Sequence, residues 1–329
     1  MTSGTTIRAC IAAFLSTLGA SIWTPAASAP VVVATILPVH ALVASVMGEV
    51  GQPILLLPPG FSEHTAALKP SEAKALADAD LVVWVGDGIE TLLAKPIRTL
   101  PKKTTVVTLS RDTGIVLIKN RAGGLWETHD DHGTAAGKHA DSGRAQRKGH
   151  KHGHHDDNHH VWLDPDNAKK IVTHIARALA RLDPANAERY VVNAEATAIR
   201  LDRLDRDLQA LLTPARAIPF VVFHDAFPYF ERRYGLNAIG SITVSPEQKP
   251  GSKRVLDIRR KLTAAKAACV FGEPQYDASL VRNLVEGTPV RIGTLDPLGS
   301  AAAPGPAAYE SLMRTLATAI RECLVPGAS

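Results

Sequence analysis

Four short strings carry residue types able to bind an ion or activate a water. Ser62-Glu63-His64 follows a Pro-Pro-Gly turn, and His160-Val161-Trp162-Leu163 closes a long polar stretch. Phe223-His224-Asp225-Ala226 and Gly293-Thr294-Leu295-Asp296-Pro297 each end a short apolar run. Three imidazoles with a carboxylate suit zinc, which takes nitrogen and oxygen ligands tetrahedrally at about 2.0–2.2 Å. Manganese or magnesium would ask for more oxygen. Imidazoles bind metal only when neutral, so affinity is expected to fall as pH drops through about 6.5. The gaps between positions 64, 160 and 224 are too wide for a local motif, and each histidine alone also reads as an ordinary polar residue at a strand end.

A second feature is the stretch 119–160, which holds nine of the thirteen histidines and almost nothing apolar beyond Leu125 and Trp126. It cannot form a core and is expected to be a mobile loop. His150, His152, His154, His155 and His159, with Asp156 and Asp157, form a candidate weak metal-holding cluster. Lys138, Arg144, Arg147, Lys148 and Lys151 would repel a dication there, and the competing reading is a solvated spacer. His40 and His174 fall in helical patterns and read as structural.

The elements that must hold these residues are short. Val31–Ile36, Ile54–Leu57, Leu81–Val85 and Thr105–Leu109 are β-rich runs separated by helical patterns, among them Pro70–Ala79 with proline at its start. The alternation resumes at Phe220–Phe223, Ala238–Ile242, Ala268–Phe271 and Val290–Ile292, and ends in a helix near Tyr309–Leu324. Between the halves lies a strongly helical stretch with Ile171, Ile175, Leu179 and Leu182 at helical spacing, then a second from 185 to 212. Strand–helix alternation implies parallel sheets. The expected fold is therefore α/β, two doubly wound lobes joined by a long rigid helix. Ligand groups in such folds sit outside the carboxyl ends of strands, where three of the four strings fall.

Composition excludes several classes. The chain has 329 residues, 45% hydrophobic, enough to bury a core and to rule out disorder throughout. A net charge of +5 without a basic stripe, and only 5% aromatics, argue against nucleic acid as a partner. Residues 1–29 carry one charge, Arg8, then an apolar run and Ala26-Ala27-Ser28-Ala29, which reads as a cleaved secretory signal. Cleavage after Ala29 leaves Pro30 first, so ends at Ser28 or Ala26 stay open. No run reaches the ~18–20 apolar residues of a membrane span. Export removes Cys10 and leaves Cys269 and Cys323, an even pair expected to be bonded in an oxidising compartment.

Several strings together resemble the periplasmic solute-binding proteins of zinc-importing ABC transporters, the ZnuA-type branch of the metal-binding cluster A-I family. They are Leu57-Pro58-Pro59-Gly60 with Ser62-Glu63-His64, Leu68-Lys69-Pro70-Ser71, Ala79 to Gly86, His160 to Pro165, Phe223 to Glu231, Gly272-Glu273-Pro274-Gln275 and Gly293 to Gly299. The resemblance runs from about residue 31 to the end. It implies His64, His160 and His224 as ligands of Zn2+ in the cleft between the lobes. The fourth position is Asp296, with Glu63 or water as alternatives. It also implies the Cys269–Cys323 disulfide, and a monomer working with a membrane permease. The domains it implies are an N-terminal lobe 30–165 including loop 119–159, a linking helix 166–182 and a C-terminal lobe 183–329. Residues 185–212 are the alternative link.

Two rival functions are a secreted zinc hydrolase and a His-rich metal scavenger. Against the hydrolase, there is no H-E-x-x-H. Gly86-Asp87-Gly88 lacks the third glycine of a dinucleotide loop, and no P-loop string occurs.

Overall fold

The computed structural model describes residues 29–60, 68–121, 126, 157–243 and 251–327, together with Met1. Residues 2–28 of the signal-like segment, Glu63, His64, and His150, His152, His154, His155 and Asp156 lie outside the described residues.

The first half runs β1 (Val32–Ala34), α1 (Leu37–Met47), β2 (Ile54–Leu55), α2 (Pro70–Asp78), β3 (Leu81–Trp84), α3 (Ala94–Arg98), β4 (Thr105–Thr108) and α4 (Leu109–Asp112). Its four strands form one parallel sheet in the order β2-β1-β3-β4. The runs are apolar without alternation because the sheet interior is covered on both faces: β1 and β3 are buried at every position. A two-stranded antiparallel ribbon follows, β5 (Ile118–Lys119) against β6 (Asp157–Asn158). The polar stretch expected to be loop from 119 onward is thus ordered at both its roots.

Two long helices come next, α5 (Pro165–Leu182) and α6 (Ala187–Leu212). Asp164 caps α5, its Oδ1 accepting from the Asp166 N–H at 2.9 Å, and Pro165 takes the first helical position, where no N–H is needed. Asp183-Pro184 ends the helix; Asp183 Oδ2 then accepts from Asn186 and from Tyr190 Oη, both at 2.8 Å, which sets the bend into α6. Tyr190, Ala194, Thr197, Leu201, Leu204, Leu208 and Leu212 recur every three or four residues, and α6 buries that stripe against α5, α1 and the last helix.

The second half comprises β7 (Pro219–Val222), α7 (Pro228–Tyr234), β8 (Asn237–Ser241), α8 (Ser252–Ala264), β9 (Cys269–Gly272), α9 (Ser279–Val285), β10 (Arg291–Thr294) and α10 (Ala308–Leu324). Its strands form a second parallel sheet, ordered β10-β9-β7-β8. Gly235 stops α7 in the left-handed region, φ 68°, where a side chain would be strained. The disulfide Cys269–Cys323 ties the start of β9 to α10.

The principal core is continuous across both halves. It includes Val33 and Val82 of the first sheet, Ile175 and Leu204 of the long helices, Phe220 and Phe271 of the second sheet, and Leu316 of α10. The long helical link expected between the halves is present, and α10 returns to pack on α1 and α6 beside it. Among the described residues no helix is long and apolar enough to cross a membrane.

Candidate metal centre

His160 ends the polar stretch and opens a one-turn 3-10 helix, Val161–Leu163, that leads into α5. His224 lies just beyond β7 in the tight turn before α7, with the Ala226 N–H donating to its carbonyl at 2.8 Å. Although 64 residues apart, the two imidazoles meet: His160 Nε2 and His224 Nε2 are 3.2 Å apart, both rings are buried, and their centroids lie 5.1 Å apart.

Hydrogen bonding assigns the tautomer of each ring. Asn158 Nδ2 donates to Asn120 Oδ1 at 3.1 Å and to the Asp225 carbonyl at 2.5 Å. Its Oδ1 is therefore the acceptor for the His160 N–H and for His160 Nδ1, each at 3.1 Å. On the other ring, Glu273 Oε1 lies 2.5 Å from His224 Nδ1 and 3.3 Å from the His224 backbone nitrogen. An ionised carboxylate only accepts, so Nδ1 of His224 carries a proton. Both rings then present unprotonated Nε2 atoms to each other. Two lone pairs facing at this distance repel unless a cation lies between them. Two nitrogens at about 2.05 Å from a tetrahedral ion stand about 3.3 Å apart, close to what is seen.

Carboxylate-backed histidine is the arrangement that fixes orientation and raises basicity at metal sites. Glu273, Asn158 and Asp225 were not singled out from the sequence for this role. The available signal was weak: Glu273 follows β9 at the same sheet edge where His224 follows β7, and the two strands are neighbours.

The remaining sequence candidates have these placements. Asp296 follows β10, but its carboxylate is engaged in its own turn. Oδ1 accepts from Gln275 Nε2 at 2.8 Å and from the Leu298 N–H at 3.0 Å; Oδ2 accepts from the Ser300 N–H at 2.6 Å and Ser300 Oγ at 2.5 Å. Those four donors match the roughly four lone-pair directions of a carboxylate. The Asp296 turn still borders the pair: Trp162 Nε1 donates to the Pro297 carbonyl at 2.8 Å, and the Trp162 ring lies 5.3 Å from that of His160. Pro58, Pro59 and Gly60, which lead toward His64, share a small hollow with Leu298 and Ser300. Among the described residues no group of three or more His, Cys, Asp or Glu side chains converges to hold a metal ion.

Of the His-rich cluster, the described residues include Asp157, whose carboxylate pairs with Lys119 at 2.8 Å, and His159, which is buried against Gly88. A Cβ at Gly88 would stand 2.0 Å from the His159 Nε2, so only glycine admits the ring there. His40 behaves as a structural residue, its Nε2 3.0 Å from the Pro53 carbonyl in a buried setting. Burial lowers its pKa, only partly opposed by that bond.

The protein-family model described as zinc-uptake complex component A, periplasmic, matches residues 32–323. A high-affinity zinc uptake system protein ZnuA of Brucella abortus (strain 2308) is 43% identical over 307 residues, covering 89% of this chain and 91% of the relative. The protein of the same name from Paracoccus denitrificans (strain Pd 1222) is 35% identical over 312 residues, covering 93% and 95%. A crystal structure of ZnuA superposes with a TM-score of 0.72 at 24% identity, covering 90% of this chain and 99% of that one, which shows a shared fold. With a continuous family match over nearly its whole length, two parallel sheets bridged by long helices and a paired-imidazole site at their edge, the chain belongs to the periplasmic zinc-uptake component A family, the ZnuA family.

Proposed function

We propose that this protein captures Zn2+ outside the cytosol and delivers it to the membrane permease of an ABC importer, binding the ion without catalysis. The observation that carries this reading is the His160–His224 pair, whose Nε2 atoms face each other at 3.2 Å while Asn158 and Glu273 hold both Nδ1 atoms. The family match and the names of the relatives support the cargo and the periplasmic setting. His64 supplies the third nitrogen in this reading. Because four donors already occupy Asp296, Glu63 or a water is the better fourth ligand. Residues 30–165 and 183–329 act as the lobes and 166–182 as the link, the mature chain being a monomer after removal of residues 1–29. A grip drawn from both lobes favours one relative orientation, which a permease can read.

Isothermal titration with zinc on the mature chain, on His64→Ala, His160→Ala and His224→Ala, and on a chain lacking 129–155 tests this. One tight site that survives the deletion and fails in the histidine variants is expected. A tight site lost with the deletion alone would favour the scavenger instead, and unchanged affinity in His224→Ala would remove the reading.

A further inference from the structure

The ribbon that roots the polar stretch is pinned to the corner carrying His224. Tyr229 on α7 reads both of its strands: its Oη accepts from the Ile118 N–H at 3.0 Å and donates to the Asn158 carbonyl at 2.7 Å. Arg121, two residues beyond β5, does more. Its Nε lies 3.1 Å from Asp225 Oδ1, its Nη1 and Nη2 lie 2.6 and 2.9 Å from the two Glu231 oxygens, and Nη2 also bonds Asp225. Its own N–H donates to Asp225 Oδ2 at 3.2 Å, and its guanidinium carbon sits 3.6 Å from the centroid of the Trp126 ring.

One planar cation thus holds two carboxylates, and Glu231 is buried. Desolvating such a group is costly and is weak evidence for a gain in stability. What the arrangement does secure is geometry. Asp225 follows His224 directly; Arg121 holds its side chain, and its carbonyl receives Asn158 Nδ2, whose Oδ1 orients His160. The path from Arg121 to the imidazoles runs through Asp225, and toward His160 also through its chain neighbour Asn120, whose Oδ1 accepts from Asn158.

We propose that Arg121 is a positioning residue for metal capture, locking the β5–β6 ribbon to the His224–Asp225 corner so that both imidazoles stand at coordination separation before the ion arrives. This rests on the reading of His160 and His224 as zinc ligands. Without the lock, the ribbon is held to the corner by the Tyr229 and Asn158 bonds and not by the charged fork, and part of the binding free energy goes into bringing the rings together.

The test uses the full mature chain, with Zn2+ followed by chelator competition and by stopped-flow release, and Co2+ followed by its visible spectrum. Removing Arg121 alone would strand Glu231, so the main variant is Arg121→Gln with Glu231→Gln. It should bind zinc about tenfold more weakly, release it faster and shift the Co2+ bands, with loss of the size seen for outer partners of metal ligands. Arg121→Lys should rescue only part of this, since an ammonium lacks the fork that engages two carboxylates at once. Tyr229→Phe, which removes only the bridging hydroxyl, should produce a smaller loss in the same direction and serves if the double variant does not fold. Parental zinc affinity and Co2+ spectrum in Arg121→Gln/Glu231→Gln or, where that variant does not fold, in Tyr229→Phe would overturn the proposal, provided His224→Ala has lost binding. Parental affinity in His224→Ala as well would instead overturn the ligand assignment beneath it.

Discussion

The carboxylate of Glu273 and the imidazole of His224 meet at 2.5 Å, Oε1 to Nδ1, across the ends of two neighbouring strands. The contact fixes the ring's tautomer and aims Nε2 at His160. Glu273→Gln keeps an oxygen acceptor but removes the charge, so zinc affinity should fall, by up to the about 10–100-fold typical of outer-shell partners. Titration calorimetry against an intact far-UV spectrum checks this.

Asp296 offers a sharper discrimination. Its oxygens are filled by Gln275, Leu298 and Ser300, so Asp296→Asn should cost about 1–3 kcal/mol of stability through mispaired donors. Zinc affinity should stay near parental. A large loss of affinity at unchanged stability would make Asp296 the fourth ligand.

Cys269 and Cys323 close a loop of 54 residues between β9 and α10. The chain-entropy account assigns such a closure about 4 kcal/mol. The Cys269→Ser/Cys323→Ser protein should therefore unfold at markedly lower denaturant, with a steeper transition slope because its unfolded chain exposes more surface. Equilibrium urea unfolding of the two proteins provides the comparison.

His40 makes stability depend on acidity. Its folded pKa lies below the ordinary 6.5 because burial disfavours the charged ring, with the Pro53 carbonyl opposing. Below about pH 6.5 the unfolded chain takes up a proton that the folded chain refuses, so this contribution is complete above that pH and declines as pH falls. His40→Gln retains a donor toward Pro53 without titrating. Its stability curve, from urea titrations at about pH 5 to 8, should be flatter below 6.5 than the parent's.

Much of the fold is legible along the chain because its signals are local. Apolar runs such as Leu81–Trp84 are buried on both faces, and the spacing of Leu201, Leu204 and Leu208 is that of a helix stripe. Asp164-Pro165 and Asp183-Pro184 mark where α5 begins and ends. Strand boundaries moved slightly, with β10 running Arg291–Thr294 rather than ending at Ile292, since ladder pairing with β9 decides where a strand stops.

Residue types, with His64, His224 and Asp296 after apolar runs and His160 where the polar stretch ends, raise these four as candidates and suit zinc, while only the family resemblance makes them one ligand set. Whether two of them touch depends on β7 and the end of the polar stretch arriving at one point, a long-range consequence of sheet order that no local spacing encodes. The same holds for the partners that orient the rings. Glu273, Asn158 and Arg121 lie 49, 2 and 104 residues from the groups they bond, and only Asn158 is near in sequence. A chain writes its elements in short-range periodicity, whereas a coordination geometry is made by contacts between distant segments, which exist only once packing has brought them together.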